Sequence, residues 1–118
     1  MPLNFFKKRS KKMPFFRSQS DEAKRRLQHQ LYLAQENPEP EFDISGCQIA
    51  EIPSSVFSLC RILYKEVLLL YDNWLTSIDT TGKLSDLQSL KVLDLHKNEI
   101  KHLPQAINHL HNLKVNNN

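Results

Sequence analysis

Glycine is nearly missing from this chain: Gly46 and Gly82 are the only two in 118 residues. A glycine-rich loop that cradles phosphates cannot be built from two distant glycines, so nucleotide chemistry of that kind is excluded. Cysteine is equally scarce. Cys47 and Cys60 form neither a disulfide framework nor a CxxC pair, which points to a reducing, cytoplasmic setting. No stretch approaches the roughly 18 apolar residues of a membrane span. Residues 1–16 lack the apolar run and the cleavage site of a secretory signal, and Met1-Pro2 excludes N-terminal myristoylation. No paired carboxylates and no nucleophile with a matching base stand in a recognisable pattern, so no catalytic residue, cofactor or small-molecule substrate is expected. His109-x-His111, and His96 with His102, have no cysteine or acidic partner at a zinc-site spacing, so no metal is expected either.

Charge is present but lopsided. Residues 1–26 carry nine Lys/Arg against Asp21 and Glu22, a balance of +7, whereas the remainder balances at −4. Residues 1–20 read as a basic flexible arm, with Lys7, Lys8, Arg9, Lys11 and Lys12 among Phe5, Phe6, Phe15 and Phe16. A solvated tail is the plain expectation. A weak contact with an anionic membrane is the specific one, and no nucleic acid is expected. Residues 21–38 read as a capping helix and its exit. Ser20 or Ser18 can accept from the free amides of the first turn, and Asp21 and Glu22 sit where the helix dipole favours negative charge. Ala23, Leu27, Leu31 and Ala34 share one face, and Asn37-Pro38 ends the segment.

Residues 39–118 are repetitive. The frame L-x-L-x-x-N/C-x-L-x-x-L fits Phe42, Ile44, Cys47, Ile49 and Ile52. It fits Leu68, Leu70, Asn73, Leu75 and Ile78, and again Leu93, Leu95, Asn98, Ile100 and Leu103. The Asn/Cys positions lie 26 and then 25 residues apart, inside the roughly 20–29 of leucine-rich repeats. Apolar residues at period two make a short strand with one face inward. The side chain at Cys47, Asn73 or Asn98 then turns inward, where an amide can pair buried backbone groups. One coil cannot bury its own apolar face, but stacked coils can. The expected fold is an α/β leucine-rich-repeat solenoid: a short parallel sheet, an N-terminal capping helix, about three repeats and a broken fourth. Leu90 and Val92 recur 23 residues later as Leu113 and Val115, and the next inward positions fall on Asn116 and Asn118. The solenoid is therefore expected to be truncated at its C-terminus.

Several segments taken in order carry a more specific likeness. Met1-Pro2-Leu3-Asn4-Phe5-Phe6 (or Met13-Pro14-Phe15-Phe16-Arg17) leads into Ser20-Asp21-Glu22-Ala23-Lys24-Arg25-Arg26-Leu27. Phe42-Asp43-Ile44-Ser45-Gly46-Cys47, Glu51-Ile52-Pro53 and Lys91-Val92-Leu93-Asp94-Leu95-His96-Lys97-Asn98 follow. Together they resemble the N-terminus of the leucine-rich repeat and sterile alpha motif-containing E3 ubiquitin ligases. That resemblance implies a recognition module of a ligase involved in ubiquitination, endosomal sorting and recognition of intracellular bacteria. The zinc-binding RING of that family needs about eight Cys/His ligands, and this chain lacks them, so it is not expected to be an enzyme itself. The alternative is a stand-alone cytosolic repeat scaffold in kinase or phosphatase signalling.

A solenoid binds through its concave face, and strand positions between the inward residues point there. One row is Asp43, Leu69 and Asp94, the next Ser45, Tyr71 and His96, the third Gly46, Asp72 and Lys97. Leu69 and Tyr71 are the expected anchors for a protein partner, since exposed apolar and aromatic groups supply most contact energy. Against that stands the reading in which they only cover one another. Cys47 and Cys60 are expected to be structural, and Trp74 to pack, with recognition of a partner as its alternative.

Overall fold

The computed structural model describes residues 17–78 and 84–117. Most of the basic arm lies outside them. Helix α1 spans Asp21–Glu36, and the side chain of Ser20 accepts from Ala23 N at its start. Strand β1 (Glu41–Asp43), helix α2 (Ser54–Leu63), strand β2 (Val67–Leu69), a 3-10 helix (Leu84–Leu87), strand β3 (Val92–Asp94), a second 3-10 helix (Gln105–His109) and strand β4 (Lys114–Asn116) follow. The strands form one parallel sheet in sequence order. Phe42, Leu68, Leu93 and Val115 lie in register across it. Each coil thus runs from a strand, through a helical segment on the far side, to the next strand.

The apolar frame positions fill the space between sheet and helical side. Phe42, Ile44, Ile49, Ile52, Leu68, Leu70, Leu75, Ile78, Leu93 and Leu95 are buried in one cluster with Val56, Phe57 and Cys60 of α2. Ala34 is buried in that same cluster, and Leu27 and Leu31 pack partly buried against it, so the expected face of α1 is the one that seats it over coil 1. The return segments of the coils differ in how they wind. From Phe42 to Leu68 the chain includes the ten-residue α2, and from Leu93 to Val115 only a five-residue 3-10 turn.

The fourth coil departs from the spacing read in the sequence. Val115 lies opposite Leu93 and Asn116 opposite Asp94. The strand is therefore reached one residue sooner than the repeat of Leu90 and Val92 suggests. Val115 takes the inward position, and Asn116 takes an open-face one rather than interrupting the strand.

The frame asparagines tie coil to coil. Asn73 Nδ2 donates to Ile44 O at 3.0 Å and Leu70 O at 2.9 Å, and its Oδ1 accepts from Cys47 N at 2.9 Å and Ile49 N at 3.2 Å. Asn98 Nδ2 donates to Leu70 O and Leu95 O, and its Oδ1 accepts from Leu75 N at 3.0 Å. Each joins its own coil to the one before it. Coil 1 has α1 rather than a coil before it, and there Cys47 stands in the frame position, its thiol donating to Ser45 O. Just before these residues, Gly46, Asp72 and Lys97 all take left-handed backbone with φ near 60°. That conformation swings the chain out of the strand and aims the next side chain inward.

Candidate protein-interaction surface

Strands of three residues expose few side chains, so the open face is decided by a handful of positions. In a parallel sheet alternate residues direct their backbone groups to the same neighbour. Ile44 N donates to Leu69 O and Leu70 N to Asp94 O, so the carbonyls of Asp43 and Ser45 face α1, and that of Cys47 is turned to the same side. Polar side chains meet them there. Gln30 Nε2 donates to Asp43 O at 2.7 Å, Arg26 Nε to Ser45 O at 2.6 Å and Gln19 Nε2 to Cys47 O at 2.6 Å. Buried carbonyls need such partners. Here three side chains do what the amides of another coil would do.

This covering changes the expected surface at coil 1. Ser45, placed on the open face by its frame position, is only 5% exposed. Its hydroxyl donates to Asp43 Oδ1 at 2.7 Å, and the Arg26 guanidinium lies over it and within 3.6 Å of the same carboxylate. Asp43 and Ser45 are thus engaged by the chain itself. The next coils are more open. Leu69 and Tyr71 are half-buried, and Asp72 and Lys97 are exposed. The Tyr71 and His96 rings stack with centroids 4.8 Å apart and planes 13° from parallel. Asp94 Oδ1 meets His96 Nδ1 at 2.5 Å, which steadies the imidazole side of that stack. Leu69, Tyr71, Asp72, His96 and Lys97 thus lie on neighbouring open positions, with Asp72 and Lys97 exposed at one rim, whereas Asp94 is engaged by His96 and Asn116.

The thiols are not part of it. Cys47 and Cys60 are free and buried. Burial pushes the Cys60 thiol up to about 12, with the Lys65 charge opposing, and burial likewise raises Cys47. Both therefore stay protonated and unreactive at neutral pH. Lys65 is itself buried, its ammonium donating to Asn37 O at 3.1 Å and Glu39 O at 2.7 Å. That pins the segment leaving α1 to the end of coil 1. Among the described residues no three His, Cys, Asp or Glu side chains are placed to hold a metal ion. No helix among them is long and apolar enough to cross a membrane.

Sequence reasoning passed over a second polar cluster beside the strands. Arg17 lies with its guanidinium carbon 4.9 Å from the centre of the Trp74 ring and Nη2 2.7 Å from Glu99 Oε2. Trp74 and Glu99 each follow a frame asparagine, and that shared frame position was the available signal.

A Leucine Rich Repeat family model matches residues 89–110. The mouse (Mus musculus) protein E3 ubiquitin-protein ligase LRSAM1 is 41% identical over 103 residues, covering 83% of this chain. The chain spans about 14% of that relative's length. Frame, parallel sheet and relative agree: this is a leucine-rich-repeat chain of an LRSAM1-like protein.

Proposed function

We propose that the chain recognises a protein partner through the open strip of its sheet, and that in a longer protein of the ligase kind this delivers the partner to ubiquitin transfer carried out elsewhere in that protein. The observation that supports it is the half-buried Leu69 beside the Tyr71–His96 stack, on a face whose coil 1 end is already covered by Arg26. An aromatic centre edged by Asp72 and Lys97 suits a partner segment that offers an apolar anchor beside charged neighbours. A cytoplasmic setting suits two buried, unpaired thiols. Within it, the finer roles that fit are ubiquitination in endosomal sorting and in the recognition of intracellular bacteria.

A photo-crosslinking residue at position 71 tests this, with position 55 on the helical side as the control. Position 71 should give a discrete adduct that position 55 does not. The adducted protein should accept ubiquitin from an LRSAM1 in which this chain replaces the matching segment, and lose it when Leu69→Ala and Tyr71→Ala are introduced together. Adducts from position 55 alone, or transfer indifferent to the double change, contradict the proposal.

A further inference from the structure

Residues 17–20 run along the edge that follows the strands, against the direction in which the coils stack. Ser20 N donates to Gln48 Oε1 at 2.8 Å and Gln19 Nε2 to Cys47 O at 2.6 Å, both in coil 1. Arg17 reaches Trp74 in coil 2 and Glu99 in coil 3. Stacking of equivalent positions places an indole face beside a carboxylate. That pair is the chemistry that takes a guanidinium: the ring quadrupole attracts the cation, and the carboxylate accepts its N–H.

We propose that Trp74 and Glu99 form an arginine-binding site for a partner polypeptide, and that the chain's own Arg17 fills this site in cis. The occupant shown is an arginine, and it is held in a way that permits exchange. The Arg17 and Glu99 side chains are 48% and 51% exposed, so water and salt screen the contact. Thr76, Ser77, Lys101 and His102 frame a hollow of about 540 Å³ next to Glu99, room for the residue beside an incoming arginine. Ser18 alone separates Arg17 from the Gln19 anchor, so the internal arginine acts at an effective concentration of order millimolar, which an external segment has to exceed. The site lies off the strands and stands whether or not the Leu69–Tyr71 strip takes a partner.

Trp74 is the chain's only tryptophan, so its emission reports on the site directly. The probe is a synthetic peptide of residues 13–19, Met-Pro-Phe-Phe-Arg-Ser-Gln, titrated into the Arg17→Ala chain. A saturable change in Trp74 emission is expected. It should disappear when the peptide carries Arg17→Gln, and weaken at least fivefold when Glu99→Gln is added to the protein. The unaltered chain should respond with at least tenfold weaker apparent affinity, because its own arginine competes. Arg17→Lys in the protein should fall between. Matching cooperative melts establish that each variant is folded, as expected for changes at exposed positions. Equal titration of the unaltered and Arg17→Ala chains, an undiminished response to the Arg17→Gln peptide, or indifference to Glu99→Gln would overturn the proposal.

Discussion

The two ends of the sheet meet the same physical problem and meet it differently. At β1 the outward backbone carbonyls of Asp43, Ser45 and Cys47 are taken by Gln30, Arg26 and Gln19, and α1 seals the apolar side with Leu27, Leu31 and Ala34. At β4 the same alternation points the backbone of Val115 to the far side, where the described residues hold no further coil. Val115 and Leu113 are half-buried there, whereas Phe42 and Ile44 are almost fully covered. An edge strand is a template for unwanted pairing unless something blocks it. Coil 1 shows that three polar side chains and one helix face suffice as a block. The difference also shapes the open face: the sealed end gives up Asp43 and Ser45 to internal contacts, and the more open positions begin at Leu69.

The comparison can be broken most severely in the middle, where coils are tied together. Asn73→Ala removes partners from Cys47 N, Ile49 N and Ile44 O in a buried setting. It should cost about 3–5 kcal/mol, the scale of a lost buried network, read as a large fall in the urea midpoint. Asn98→Ala, at a half-buried site with Leu75 N as its amide donor, should cost less, about 1–3 kcal/mol. Equal losses would mean that position along the stack does not matter.

At the sealed end, Lys65→Met leaves Asn37 O and Glu39 O without their ammonium and should cost about 2–3 kcal/mol, as for a hydrogen bond to a charged group. Arg26→Ala, at a more exposed position, should cost about 1–2 kcal/mol. At the other end Val115→Ala should cost only about 0.5–1 kcal/mol, because its side chain is half in water already.

The effect of pH is absent near neutrality and is confined to alkaline conditions. Cys60 is raised in the folded state, so folding favours its neutral thiol. That contribution is complete below the unfolded thiol's value near 9 and is lost as pH rises from about 9 to about 12. Alkylation of the native chain should be slow at both cysteines at neutral pH and should accelerate only with unfolding. Rapid labelling of Cys60 in native protein would contradict its burial.

The sequence read the repeating part well because period-two apolar pairs and an inward Asn are local signals. Leu68, Leu70 and Asn73 sit where their spacing puts them, and so does the apolar face of α1. The register of β4 was not legible, since which of two adjacent residues comes to lie opposite Leu93 is settled by packing between the strands rather than by which residues recur. Nor were the pairings of Arg26, Gln30, Lys65 and Arg17. Those link residues far apart in the chain, and their choice among many possible partners is made by packing. Ser45 shows the consequence: its frame position is that of a binding residue, and only the approach of Arg26 from α1 turns it into a buried one.

The claim that α1 side chains replace a coil at β1 is tested most directly by native-state hydrogen exchange followed residue by residue. The unaltered chain should exchange coil 4 amides first, with those of Ile44, Gly46, Leu70 and Asp72 protected together. Arg26→Ala combined with Gln30→Ala should bring coil 1 toward the rate of coil 4 while leaving Leu70 and Asp72 protected. Coil 1 exchanging as early as coil 4 in the unaltered chain, or remaining protected in the double variant, would contradict it.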